Sequence, residues 1–316
     1  MHRRQFVEAC ATAALAVTAL KQTAFAGGGE ENLTPASGPF PFSVMLWTID
    51  PKLSFDQRIG KVAEAGYSAV ELVGEYEHWS KEDFARARAR FRSLGMVVDA
   101  CSGINASLCD PSKRDEFIAE IRAKLPVLAE LESSRLILLT GDKVPGLSHE
   151  QMHLSCVEGL KRAADIVAPR NIELLLENID PEENPNYFLT SVAEGFEVVR
   201  HVGNPKVKFL YDFFHEQISE GNLISKLEKN IELVGLVHVA DVPGRHEPGT
   251  GEINYASIFR KLGQLHYSNY VAMEFLPTGD IVTSLRAARE FATKCGDEGR
   301  ALVGQDGIVK EPHASA

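Results

Sequence analysis

Eight short apolar runs, each followed by a longer stretch with helical spacing, constrain this chain more than any other feature. The runs are Phe42–Thr48, Ala69–Val73, Met96–Ala100, Arg135–Thr140, Ile172–Glu177, Val207–Asp212, Val234–Ala240 and Tyr270–Glu274. Helical spacing follows in Phe55–Ala65, Lys81–Leu94, Arg114–Leu131, His149–Val167, Val192–His201, Leu223–Asn230, Tyr255–Leu262 and Ile281–Ala292. Gly66 and Gly95 stop the first two helices, and Pro126 is a candidate bend in the third. Apolar runs of this length imply parallel strands covered on both faces. Eight such βα units in 316 residues predict an α/β fold of the (β/α)₈ TIM-barrel type, occupying residues 42–295 as one domain. No period continues beyond Cys295, so residues 296–316 are expected to be an irregular C-terminal tail.

The N-terminus reads as an export signal. A twin-arginine pair, Arg3-Arg4, precedes Gln5-Phe6, an uncharged run from Ala9 to Leu20 and the small-residue pattern Ala24-Phe25-Ala26. The uncharged run is shorter than the ~20 residues that span a bilayer, so no stable membrane anchor is expected. Residues 1–26 are therefore assigned to a signal peptide read by the twin-arginine export machinery, and 27–41 to a flexible leader rich in Gly, Pro and Ser. The expected destination is periplasmic or otherwise exported.

The composition is that of a globular protein, 44% hydrophobic and 24% charged, with a formal net charge of −11. Cleavage of the signal removes Arg3, Arg4 and Lys21 against Glu8 alone, which leaves the mature chain more acidic still. An acidic surface excludes a nucleic-acid partner, because phosphate binding needs a basic face. It leaves room for a small-molecule substrate held by a local arginine. Homo-oligomerisation stays open. Cys101, Cys109, Cys156 and Cys295 remain after cleavage, without zinc-ribbon or CxxC spacing. Cys101 and Cys109 share one loop, so a disulfide and two free thiols are both open readings.

In such barrels the reacting groups gather at the C-terminal ends of the strands. Those ends supply Trp47 from the first run, Glu71 and Glu75 from the second, and Glu177 from the fifth. The sixth supplies Asp212 with His215 just beyond, the seventh His238 with Arg245 beyond, and the eighth Glu274. A carboxylate ending Leu174-Leu-Leu-Glu177 or Val271-Ala-Met-Glu274 is buried by its neighbours, and a buried carboxylate needs a cation or a metal. Each residue alone has an ordinary explanation: a strand-end ion pair, a core histidine, a solvated arginine, a pocket-wall tryptophan. Recurrence on four consecutive strands favours a shared ion held by Glu177, Asp212, His238 and Glu274. Oxygen-rich ligation suits Mn²⁺ or Mg²⁺. Glu177 and Glu274 would then face each other and move a proton between adjacent carbons through an enediolate. Glu71 is left as pocket lining or as support behind the ligands.

Three segments resemble the hydroxypyruvate isomerase family of xylose isomerase-like barrels: Leu176-Glu-Asn-Ile-Asp180, Tyr211-Asp-Phe-Phe-His-Glu-Gln217 and the loop Val242-Pro-Gly-Arg-His-Glu-Pro-Gly-Thr-Gly-Glu-Ile-Asn-Tyr255. The resemblance implies a metal at Glu177, Asp212, His238 and Glu274, with the two glutamates as the proton-transfer pair. It implies substrate contacts from His215, Arg245 and Glu183. Hydroxypyruvate isomerases usually carry glutamine where His238 stands, and histidine there is a habit of ketose 3-epimerases. The leading expectation is a metal-dependent, hydroxypyruvate isomerase-like isomerase. The alternative is an exported sugar 3-epimerase, or a keto-sugar lyase or hydratase, using the same metal. A metal-dependent endonuclease lacks its basic groove here, and a non-catalytic sugar-binding protein would not need both facing glutamates.

Overall fold

A computed structural model describes residues 38–306. The expected signal peptide, residues 27–37 of the expected leader and residues 307–316 lie outside the described residues. Eight parallel strands close into a barrel in chain order: β1 Phe42–Met45, β2 Ala69–Leu72, β3 Val97–Cys101, β4 Arg135–Leu139, β5 Glu173–Glu177, β6 Val207–Asp212, β7 Val234–Val239 and β8 Val271–Met273. The ring is sealed where β1 pairs with β8, Ser43 opposite Ala272. Around it run α1 Phe55–Glu64, α2 Lys81–Ser93, α3 Arg114–Leu131, α4 His149–Val167, α5 Val192–Val202, α6 Phe213–Ser219, α7 Leu223–Asn230, α8 Tyr255–Gln264 and α9 Ile281–Asp306.

Local sequence explains where several helices begin. Ser54, Ser80 and Ser148 each accept from a backbone N–H three residues on, and Gln57, Asp83 and Gln151 return the bond. Such reciprocal caps satisfy amide donors that would otherwise be orphaned at a helix start. Pro126 lies inside α3 without ending it.

Two cores hold the barrel. Outward-facing strand residues such as Val44, Val70, Leu174, Leu176, Phe209 and Val237 pack under the helices. Inward-facing Met45, Ala100, Ile137, Leu175, Leu210, Leu236 and Ala272 fill the barrel itself. Side chains alternate faces along a strand. Two residues past Leu175, Leu210, Leu236 and Ala272 therefore come Glu177, Asp212, His238 and Glu274, all pointing inward above that apolar plug. The polar ends of four strands are committed to one place by parity alone.

Two expectations need correction, and one open question closes. Residues 296–306 of the expected tail are not irregular: α9 runs unbroken to Asp306. The reason is close packing through glycine, which a search for apolar spacing does not see. A side chain at Gly263 of α8 would overlap the Gly296 carbonyl, and one at Gly299 would overlap the Arg260 carbonyl. The end of the expected leader is also part of the fold, since Phe40 is 4% exposed and meets Phe42 edge-on at 5.4 Å. Finally, Cys101, Cys109, Cys156 and Cys295 are all free and buried, and burial pushes the Cys101 thiol up to about 12. Among the described residues no helix is long and apolar enough to cross a membrane.

The glycine contact is testable. Gly263→Ala is expected to cost about 1–3 kcal/mol by forcing α8 and α9 apart, the usual price of overpacking. Denaturant unfolding of the variant beside the parent protein measures it, and an unchanged midpoint would contradict the packing account.

Candidate metal and catalytic site

The four side chains that the strand ends point inward do converge. One ligand atom from each of Glu177, Asp212, His238 and Glu274 lies within 4.8 Å of all the others, and all four residues are buried. His238 Nδ1 sits 2.7 Å from Glu274 Oε2 and 3.6 Å from Glu177 Oε1. Its other nitrogen, Nε2, lies 2.9 Å from Glu71 Oε2. Burial alone would lower the imidazole, but Glu71 and then Glu274 outweigh it and raise His238 well above its ordinary value. Glu71 thus takes the second of its two open roles. It has no exposed surface and backs His238 instead of lining the mouth.

Asp212 does two jobs. As the residue before α6 it accepts from the amides of Phe214 at 2.7 Å and His215 at 3.3 Å, which starts a helix too short for its apolar spacing to announce it. That turn brings His215 back over the site, with Nε2 3.4 Å from Asp212 Oδ2. Burial raises the Asp212 carboxyl, against the pull of His215 and Arg245.

A second group stands beside the first. Asp180, Glu183 and His215 also offer atoms within 4.8 Å of one another. His215 Nδ1 is 2.7 Å from Asp180 Oδ2, while Asp180 Oδ1 accepts from the amides of Glu182 and Glu183. Burial opposes protonation of His215, but Asp212 and Asp180 prevail and raise it above its usual value. Asp180 had no role in the sequence reading. Its signal was available, since it ends the segment Leu176–Asp180, but a loop aspartate has no periodicity to mark it.

The loop after β7 delivers Arg245. Buried Asp241 ties that loop down by accepting from Val242 N at 2.9 Å, Gly249 N at 2.8 Å and Ile253 N at 3.0 Å. Arg245 itself adopts φ +58°, a strained choice for a side-chain-bearing residue, and its carbonyl accepts from Leu276 N at 2.7 Å. The guanidinium lies 2.8 Å from Glu274 Oε2, 3.0 Å from Glu183 Oε2 and 3.4 Å from Asp212 Oδ2. It stacks over Phe214 at 4.7 Å and Trp47 at 5.6 Å. Trp47, in the 3₁₀ turn after β1, donates from Nε1 to Glu274 Oε1 at 3.0 Å. Every residue singled out from the sequence therefore reaches this mouth except Glu71, which stands behind His238, and Glu75, which turns away to Arg58 at 3.6 Å.

Residues 59–295 match the xylose isomerase-like TIM barrel family, and the chain belongs to it. It is 29% identical over 249 residues to the hydroxypyruvate isomerase of Escherichia coli, a match covering 78% of this chain and 96% of that one. It is 30% identical over 250 residues to the 2-oxo-tetronate isomerase of Haemophilus influenzae, covering 77% and 96%. A solved structure described as an AP endonuclease, family 2, from Brucella melitensis superposes with a TM-score of 0.71 at 27% identity, covering 78% of this chain and 97% of that one. With such relatives matched over nearly their whole length, the chain is an isomerase.

Arg245 is the cation that faces three of the carboxylates, so Arg245→Ala leaves buried charge uncompensated. The expected cost is about 3–5 kcal/mol at pH 7. It is expected to shrink at pH 5, where protonation relieves the repulsion. Urea unfolding at the two pH values checks both statements; a loss below 1 kcal/mol at pH 7 would contradict the first.

Proposed function

We propose that the protein is a metal-dependent isomerase that moves a proton between adjacent carbons of a small hydroxy-carbonyl substrate. The observation that carries this reading is the buried cluster of Glu177, Asp212, His238 and Glu274 on four consecutive strands. Three carboxylates and one imidazole nitrogen suit a hard divalent cation such as Mn²⁺ or Mg²⁺, and His238 Nδ1 is buried and turned toward Glu177 and Glu274. When bound, the cation supplies Lewis-acid withdrawal of charge from the substrate's carbonyl and hydroxyl oxygens.

The rest falls to the chain's own residues. One of the two glutamates, Glu177 or Glu274, removes the proton from the carbon bearing the hydroxyl. The same or the other carboxyl returns it to the neighbouring carbon while the hydroxyl proton passes to the former carbonyl oxygen, so the enediolate collapses to the isomer. Trp47, donating to Glu274 Oε1, holds that carboxyl in a fixed orientation. Arg245, flanked by Phe214 and Trp47, is the cation suited to a substrate carboxylate. His215 and Glu183 stand on the same side and are suited to substrate oxygens.

Hydroxypyruvate and 2-oxo-tetronate are both small hydroxy-keto acids, so an arginine near the proton-transfer pair suits either. His238 favours one alternative, a sugar 3-epimerase, because the resemblance places histidine there in epimerases. A keto-sugar lyase or hydratase would use the same groups. Nuclease activity is not carried over from the structural neighbour, since a chain of net charge −11 offers phosphate no basic face.

The test is a panel of hydroxypyruvate, 2-oxo-tetronate and ketohexoses in deuterated water, read for product and for deuterium at carbon. Chelation is expected to abolish turnover and Mn²⁺ to restore it. Glu177→Gln and Glu274→Gln are each expected to lower kcat about 10²–10⁴-fold while substrate binding persists. Full activity after exhaustive chelation, or in either variant, would refute the proposal.

A further inference from the structure

A line of polar groups runs from the site down through the apolar barrel. Behind His238, Glu71 presents its second oxygen, Oε1, to Ser43 Oγ at 3.3 Å. Ser43 Oγ lies 3.1 Å from Asp99 Oδ2. Asp99 Oδ1 meets an Arg135 Nη at 2.5 Å, and Arg135 Nε reaches Glu173 Oε2 at 3.4 Å near the opposite rim. Glu71 and Ser43 have no exposed surface, and Asp99 is 3% exposed. Six strands contribute: β7 holds His238, β2 Glu71, β1 Ser43, β3 Asp99, β4 Arg135 and β5 Glu173.

The middle of this line does not balance as drawn with two ionised carboxyls. A serine hydroxyl has one proton. It can donate to Glu71 or to Asp99, and it shows the other only lone pairs. One carboxyl must therefore carry a proton and donate to Ser43. Glu71 already accepts from His238 at 2.9 Å. The titratable groups facing Asp99 are buried Glu71 and Tyr267 and half-buried Arg135 and Tyr270. Burial, and then the charge of Glu71, push the Asp99 carboxyl up to about 8 despite Arg135. The order of donation that satisfies every atom starts at Asp99, passes to Ser43, and ends on Glu71, which accepts from His238 Nε2.

We propose that Asp99 is a positioning residue for the metal site, holding a proton that orders Ser43 and Glu71 so that His238 presents Nδ1 to the cation. This rests on the metal reading above. Partners behind a metal-binding imidazole fix its tautomer and ring orientation, and their loss typically weakens metal binding about 10–100-fold. Here the partner is itself oriented by a neutral acid two groups away, buried on another strand.

The isosteric variant separates this from a plain salt bridge. In Asp99→Asn the amide nitrogen can donate to Ser43 while the amide oxygen accepts from Arg135, as a protonated carboxyl does. Mn²⁺ binding to the full protein, measured by titration calorimetry, is expected to change less than about threefold in D99N. It is expected to weaken about 10–100-fold in D99A and in S43A. Infrared difference spectra of the metal-free protein at pH 7, parent minus D99N, are expected to show the carbonyl stretch of a protonated carboxyl. A D99N as weak as D99A, an S43A that binds like the parent, or no protonated-carboxyl band would each overturn the proposal. If D99A fails to fold, S43A and D99N still decide. A parent protein that takes up no Mn²⁺ sinks the metal reading and the positioning role with it, while the infrared band, read without metal, still reports on the Asp99 proton.

Discussion

Five carboxyl groups crowd the mouth of this barrel, Glu177, Asp180, Glu183, Asp212 and Glu274, with a sixth, Glu71, just behind His238. Against them stand one guanidinium, from Arg245, and two imidazoles, from His215 and His238. Two unit charges about 4 Å apart interact by roughly 4 kcal/mol at the effective dielectric near a protein surface. Several such repulsions act here at once, where water is largely excluded. The fold tolerates them because each carboxyl is held by a strand or a tied loop and faces a cationic group. A divalent cation among Glu177, Asp212, Glu274 and His238 would offset the largest part of what remains. The chemistry and the electrostatic demand therefore point to the same place.

The closed barrel makes this arrangement possible. Its strands are braced on one side by the helices and on the other by the inner apolar plug, so the side chains above the plug have no room to splay. The loops are bound to the same frame. Asp241 fastens the long loop after β7, Leu276 N ties it to the loop after β8, and Asp212 caps the helix that carries His215. Proton transfer between two carbons needs its acid and base within hydrogen-bond reach of them throughout. A site assembled from four strands and two tied loops holds its carboxyls in fixed places.

The eight-unit beat and the convergence of the four strand-end groups were legible in the sequence because both follow from period and parity. A polar residue two positions past an inward apolar one, at the end of a strand, announces itself, and Glu177, Asp212, His238 and Glu274 all do so. What could not be read had no period. Asp180 acts from a loop and Phe214 from a seven-residue helix, and their partners His215 and Arg245 are set by the path of the chain. The end of α9 hid because Gly296 and Gly299 pack by their smallness, which hydrophobic spacing does not register. Glu71 could be placed at its strand end, yet whether it faced the mouth or His238 depended on the tilt of β2 against β3, where the register shifts between Val70 and Glu71. Ser43 and Asp99 stood inside apolar runs as unexplained polar residues. Only the folded barrel shows that they meet.

The central claim is that one cation joins the four strand-end groups. Anomalous diffraction from crystals soaked in Mn²⁺ tests it most directly. The account predicts a single strong anomalous peak within coordination distance of Glu177, Asp212, His238 and Glu274, with Glu71 still against the far side of the imidazole. A peak elsewhere in the barrel, or the four side chains turned apart with no ion between them, would contradict it.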